Sequence, residues 1–151
     1  MGWLKFVSGW FPAKASKAAH LRTGARGERL ACQFLKKRGM RWLYSGYLSR
    51  HGEIDLVFRE QQILVFVEVK TRVGESWQRP AAAVDRVKQA RIRRTASDYL
   101  GELTSPPKHY RFDIVEVVLH PDHSVQAMRH LPGAFSPLTN LKPVNTRDTT
   151  A

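Results

Sequence analysis

Two apolar runs separated by a short polar break dominate the pattern of the chain. They are Gly52-Glu53-Ile54-Asp55-Leu56-Val57-Phe58 and Ile63-Leu64-Val65-Phe66-Val67-Glu68-Val69-Lys70, with Arg59-Glu60-Gln61-Gln62 between them. Their length and their content of Val, Ile and Phe predict two strands of a hairpin. Whether the turn uses all four polar residues or only Glu60-Gln61, the register is the same, and Asp55 falls opposite Phe66. Glu53 then falls opposite Glu68. Because side chains alternate along a strand, Asp55, Glu68 and Lys70 share one face, while Ile54, Leu56, Val65, Val67 and Val69 share the other.

Elsewhere the period changes from two to about 3.6. Thr23 is placed to cap a helix running over Gly24 to Arg38, with Gly39 as its stop and Lys36, Lys37 and Arg38 set against the helix dipole. The inward stripe of that helix is Gly27, Leu30, Ala31, Phe34 and Leu35, and Glu28 lies on its edge. A second helix is predicted from Pro80 or Asp85 to about Leu103, on a stripe of Val84, Val87, Ala96, Tyr99, Leu100 and Leu103. Met40 to Tyr44 supplies a short strand, Arg111 to Leu119 a long one, and Val125 to Leu131 a last short one after the turn Pro121-Asp122-His123-Ser124. This order fits an α/β fold, a mixed central sheet flanked by helices. Before it, Trp3, Phe6, Val7 and Trp10 form an amphipathic stripe, too short to span a bilayer, within an extension covering residues 1–19. Residues 3–11 offer a docking stripe for a protein partner or a membrane surface. Residues 20–135 form the domain, and the Pro- and Thr-containing segment 136–151 reads as a disordered tail.

The charges inside the apolar hairpin are the candidate chemistry. An acid or lysine on a buried strand is costly unless paired or engaged with a metal. Diagonal neighbours on one sheet face stand roughly 7–8 Å apart, within which the carboxylates of Asp55 and Glu68 can converge on one divalent ion. Carboxylate oxygens suit Mg²⁺ or Mn²⁺, and a sparse set of them leaves room for water and a phosphate. Lys70 then lies where a cation can orient or deprotonate an attacking water, or stabilise a pentavalent transition state. Arg72 shares its parity and adds a second cation for the phosphate. The competing reading makes Glu68 and Lys70 an ordinary strand ion pair and Asp55 a solvated acid; three charges on one face between apolar flanks weigh against it. Glu28, taken alone, is as well explained by the preference for acids near helix starts as by a site role.

Composition widens this picture without redirecting it. The chain has 151 residues, 42% of them hydrophobic, enough for one compact core. Its formal net charge is +12, and about +7 of this lies between residues 23 and 135. Such a basic body favours a polyphosphate partner and salt-dependent binding. Arg86, Lys88, Arg91, Arg93 and Arg94 crowd the first half of the second helix with only Asp85 nearby. The single Cys32 cannot form an internal disulfide, which fits a cytoplasmic location. The six histidines show no zinc spacing, His51 reads as an incidental loop residue, and there is no glycine-rich phosphate loop or nucleophile elbow.

Taken together, Gly27-Glu28 with Ala31, the GEIDLV segment 52–57, the VFVEVKTR segment 65–72 and Arg111-Phe112-Asp113-Ile114-Val115 resemble the YraN-like family of uncharacterised bacterial proteins. That family is similar to the Holliday-junction resolvases and looks like a branch of the restriction-endonuclease-like, PD-(D/E)XK superfamily. The resemblance spans about residues 20 to 135. It implies a restriction-endonuclease-like core, with Glu28 as the helix acid, Asp55 as the strand aspartate and Glu68 and Lys70 as the E-x-K pair. Ile54 stands where the superfamily often has a proline. Lys88 and Gln89 fall where related nucleases often place a further polar residue of the site, and Asp113, outside the catalytic set, reads as structural, pairing with a base on a neighbouring strand. The expectation is a Mg²⁺- or Mn²⁺-dependent DNA endonuclease hydrolysing phosphodiesters in repair or recombination. In it Asp55 and Glu68 hold the metal, and Arg72, Lys88, Gln89, Arg91, Arg93 and Arg94 meet the nucleic acid. The alternative is a nucleic-acid-binding module of the same fold that no longer cleaves, or a nuclease subunit that cleaves only with a partner.

Overall fold

A computed structural model describes residues 13–74 and 84–137, with side chains from residue 17 onward. Helix α1 (Ala13–Lys37) is followed by strands β1 (Arg41–Ser49), β2 (Gly52–Glu60) and β3 (Ile63–Val73). Helix α2 (Arg86–Glu102) then leads to β4 (His109–Leu119) and β5 (Val125–Phe135). The five strands form one sheet in the order of the chain. All neighbours are antiparallel except β3 and β4, which run parallel because α2 crosses over between them. This is the expected mixed sheet flanked by helices, a restriction-endonuclease-like fold.

The sheet is buried on both faces, which is why its inner strands read as nearly continuous apolar runs. On one side Ala31, Leu35 and Met40 pack on Leu56, Phe58, Val65, Val67, Val115, Val117 and Leu119. On the other, Ile92 and Ala96 of α2 cover Val57, Leu64, Phe66, Phe112, Ile114 and Phe135. Here Phe66, Phe112 and Phe135 stack in series, with ring centroids 5.6 and 4.8 Å apart.

Helix α1 starts at Ala13, so Thr23 is an interior residue and not the expected cap. The segment Ala13-Lys14-Ala15-Ser16-Lys17-Ala18-Ala19 consists largely of strong helix formers and gives the helix no reason to stop upstream of Thr23. The C-terminal end is as expected. Gly39, at φ +85°, donates its N–H to Lys36 O at 3.0 Å, and the Met40 N–H reaches back to Leu35 O at 3.2 Å. Leu35 and Met40 are buried together, completing a Schellman stop with its apolar contact. Helix α2 is capped by Asp85, whose side chain accepts from the Lys88 N–H at 2.8 Å. Pro80, the other expected start, the stripe Trp3 to Trp10 and the tail from residue 138 lie outside the described residues.

The hairpin register is corrected by two residues. The turn consists of Gln61 and Gln62, with Gln61 at φ +52°, and Glu60 pairs with Ile63. Glu60, a turn residue in either expected turn, is held in the strand with Arg59: Arg59 Nε donates to Gln61 O at 2.8 Å and Glu60 is ion-paired with Arg111. An even shift keeps the faces from Leu56 to Glu60, but it carries Asp55 from Phe66 to the level of Glu68. Glu53 therefore does not oppose Glu68; it pairs with Leu48 of β1 and is exposed. Ile54 also departs from the expectation and packs on the α2 side. Pairing of β2 with β3 ends at Leu56 and Val67, while pairing with β1 continues to Gly52, so β2 follows β1 beyond that point.

Strand β1 extends well past Tyr44 and β5 well past Leu131. Asp113 is fully buried and structural, as expected. It accepts from Arg111 on its own strand, from His130 of β5 at 2.7 Å (heavy-atom distance) and from the Gly133 N–H at 2.9 Å. Among the described residues no helix is long and apolar enough to cross a membrane.

Candidate functional site

The site forms where β2 leaves β3. One step beyond the last ladder pair, the Val69 N–H donates to Asp55 Oδ2 at 2.7 Å, so a carboxylate takes the place of a backbone partner. Glu68 lies beside it, 6% exposed. Two ammonium groups reach the same oxygen of Glu68. Lys70 Nζ is 3.2 Å and Lys88 Nζ 3.0 Å from Oε1. Lys70 arrives along the strand, whereas Lys88 is brought across by the first turn of α2.

Helix α1 contributes the third acid because Gly27 lets it come close. A Cβ at Gly27 would lie 1.8 Å from Thr71 Oγ1 on β3. The next residue, Glu28, lies close enough to feel the charges of Glu53 and Glu68. Burial raises the Glu28 pKa, and the charges of Glu53 and Glu68 raise it further, against a smaller opposing effect of Arg29. Asp55 is pushed up to about 7, first by burial and then by the charge of Glu68, with the Val69 hydrogen bond opposing and Glu28 adding to the rise. Burial alone would lower the Lys88 pKa, but Glu68, Asp55 and Glu53 together hold it above its ordinary value.

A fork in which a buried Glu68 and a half-buried Asp55 repel each other, both offering carboxylate oxygens, fits a hard divalent cation such as Mg²⁺ or Mn²⁺. Asp55 and Glu68 are the residues that would hold it, with Glu28 one helix away. Among the described residues no three His, Cys, Asp or Glu side chains already converge as a ready metal cluster.

The other expected residues divide. Lys88 sits in the acid cluster itself. Gln89 points away from it: its Nε2 donates to Val84 O at 2.8 Å and its Oε1 accepts from Arg93 at 3.0 Å. Arg93 is built into the fold, donating to Ser136 O at 2.9 Å and lying over the Phe135 ring. Arg91 and Arg94 are exposed, and Arg72 is half-buried on β3. His51 is more than an incidental loop residue. Its Nδ1 is 2.8 Å from Asp98 Oδ2, tying the β1–β2 turn to α2. No local spacing signals that pair, since 47 residues separate the two.

The acid cluster lies within the stretch shared with known proteins. Residues 27–117 match the uncharacterised protein family UPF0102. A UPF0102 protein of Nocardia farcinica is 43% identical over 74% of this chain and 87% of its own length. One from Symbiobacterium thermophilum is 46% identical over 76% and 96%, and one from Rhodococcus opacus 41% over 78% and 99%. The match begins at the glycine that admits α1 to the sheet and runs through both strands of the fork and the first turn of α2, and the chain belongs to the UPF0102 (YraN-like) family of the restriction-endonuclease-like superfamily.

Proposed function

We propose that this protein is a metal-dependent endonuclease that hydrolyses phosphodiesters of DNA, in repair or recombination. The observation that carries the reading is the fork itself: a buried Glu68 whose charge acts on a half-buried Asp55, with a lysine two residues along the same strand as Glu68. Carboxylates facing a polyanion oppose binding, so a purely binding surface has no use for them. A divalent cation held by Asp55 and Glu68 would supply a Lewis acid for the phosphate oxygens and make water more acidic.

Each of the other residues has a task suited to its position. Lys70, partly exposed and anchored beside Glu68, orients the attacking water and offsets charge growing on the phosphoryl oxygens. Glu28, whose proton affinity is raised, is placed to take or return a proton at the edge of the fork. The exposed Arg91 and Arg94 on α2 meet the backbone of the flanking DNA, and the basic body brings the duplex in.

The test is cleavage of labelled linear, flap and branched DNAs with Mg²⁺ or Mn²⁺ under single-turnover conditions. Glu68→Gln should abolish cleavage while retaining DNA binding, since it removes a ligand and a repelling charge together. Lys70→Ala should lose the chemical step by at least about a hundredfold with metal uptake little changed. Binding by the parent without cleavage of any of these substrates in either metal would instead identify the non-cleaving module of the same fold.

A further inference from the structure

We infer that Lys88 is the resident counter-ion of the acid pair: its ammonium occupies on Glu68 Oε1 a position that an incoming divalent cation must take, so cation uptake proceeds by displacing Lys88. This rests on the reading of Asp55 and Glu68 as the metal-holding residues, and it goes beyond it by assigning what sets the affinity of the site.

Lys88 differs from Lys70 in the element that carries it. Both ammonium groups contact the same oxygen, but Lys70 belongs to the strand that carries Glu68, whereas Lys88 arrives from a separate element and makes the shorter contact, 3.0 Å against 3.2 Å. The Lys88 backbone is fixed, since its N–H is held by the Asp85 cap, so only the side chain has to move. With its side chain 41% exposed against 5% for Glu68, the ammonium has an open path toward solvent while the carboxylate stays in place.

The exchange has a physical consequence for the site. A cluster of buried acids without any cation is unstable, and a single strong permanent cation would exclude metal. A tethered lysine neutralises the pair without closing it. Once displaced, the ammonium remains within a side chain's length of Glu68. Lys88 is therefore a positioning residue first, acting through Glu68.

The experiment uses the full chain without DNA and reads metal uptake directly. Mn²⁺ and Ca²⁺ are titrated by calorimetry into the parent, Lys88→Met, which keeps the length of the side chain, and Lys88→Gln, which guards against a folding defect in the first. Both variants should bind Mn²⁺ at least about tenfold more tightly than the parent, because a competing charge is gone. Lys88→Arg, which keeps the charge, should not. In chelator both neutral variants should melt below the parent and recover with Mn²⁺, as expected of an acid pair left with Lys70 as its remaining lysine contact. A parent that binds Mn²⁺ together with neutral variants that bind it equally or more weakly overturns the inference and leaves the proposed function standing. A parent that takes up neither metal sinks both.

Discussion

Replacing Asp55 by Asn tests whether the acid pair is held at a cost to the fold. The Asp55 pKa is raised to about 7 by burial and by Glu68, whereas in an unfolded chain it releases its proton near the ordinary carboxylate value of roughly 4. Between these values the folded protein binds the extra proton. Stability contributed by this group therefore falls as pH rises from about 4 to about 7, and the full penalty persists above 7. At about 1.4 kcal/mol for each tenfold change in proton affinity, the ceiling of that penalty is about 4 kcal/mol. The share Asp55 has with Glu68 and the partial exposure of the fork reduce the expected value to about 1–3 kcal/mol. Asn keeps an oxygen for the Val69 N–H, which donates at 2.7 Å, and removes only the charge. Asp55→Asn should thus be more stable than the parent by about 1–3 kcal/mol in urea denaturation at pH 8 with chelator, and close to it at pH 5. Mn²⁺ should narrow the gap at pH 8 by stabilising the parent alone. A variant that is less stable than the parent by the same amount at both pH values would refute the reasoning, because the loss would then come from shape and not from charge.

Two further outcomes follow from the same geometry. Gly27→Ala should destabilise by about 1–3 kcal/mol, since its Cβ would lie 1.8 Å from Thr71 Oγ1, and Gly27→Ala with Thr71→Ala should recover part of the loss; thermal denaturation of the single and double variants checks this, and additive effects would refute it. Removing Arg91 and Arg94 together should reduce the slope of log affinity against log salt by roughly 1–2, measured by fluorescence anisotropy with a DNA duplex, whereas an unchanged slope would put the phosphates on another face. Arg93 is left in place in that experiment because its bonds to Ser136 and Gln89 make it part of the fold.

What could be read from the chain alone follows the range of each signal. Asp55, Glu68 and Lys70 stand out because a charge on an apolar strand needs a reason, and alternation puts them on one face under either register. The register itself is hidden because the turn puts Gln61 at positive φ, where Gly or Asn would have advertised it. The stop of α1 is legible in Gly39 and Met40, but its start is not, since Thr23 has the chemistry of a cap and only the helix-forming residues upstream overrule it. Lys88 and Gln89 are adjacent and indistinguishable as symbols. The helix turns one to Glu68 and the other to Val84 and Arg93, a difference of about 100° in direction that depends on where α2 is docked. The pairs His51 with Asp98 and Tyr47 with Glu102 join residues far apart in the chain and follow from packing alone.

The bond from the Val69 amide to Asp55 makes one peptide group a native reporter of the chemistry at the fork. Its proton sits between a sheet strand and an acid, so its NMR chemical shift and its exchange with solvent deuterium register the charge on that acid with no label or substrate. Protonation withdraws electron density from Asp55, a bound cation would do the same, and each would loosen the grip of its oxygen on β3. The same peptide group thus links the electrostatic state of the fork to how far the two strands stand apart, and a ligand that changes one must be felt by the other.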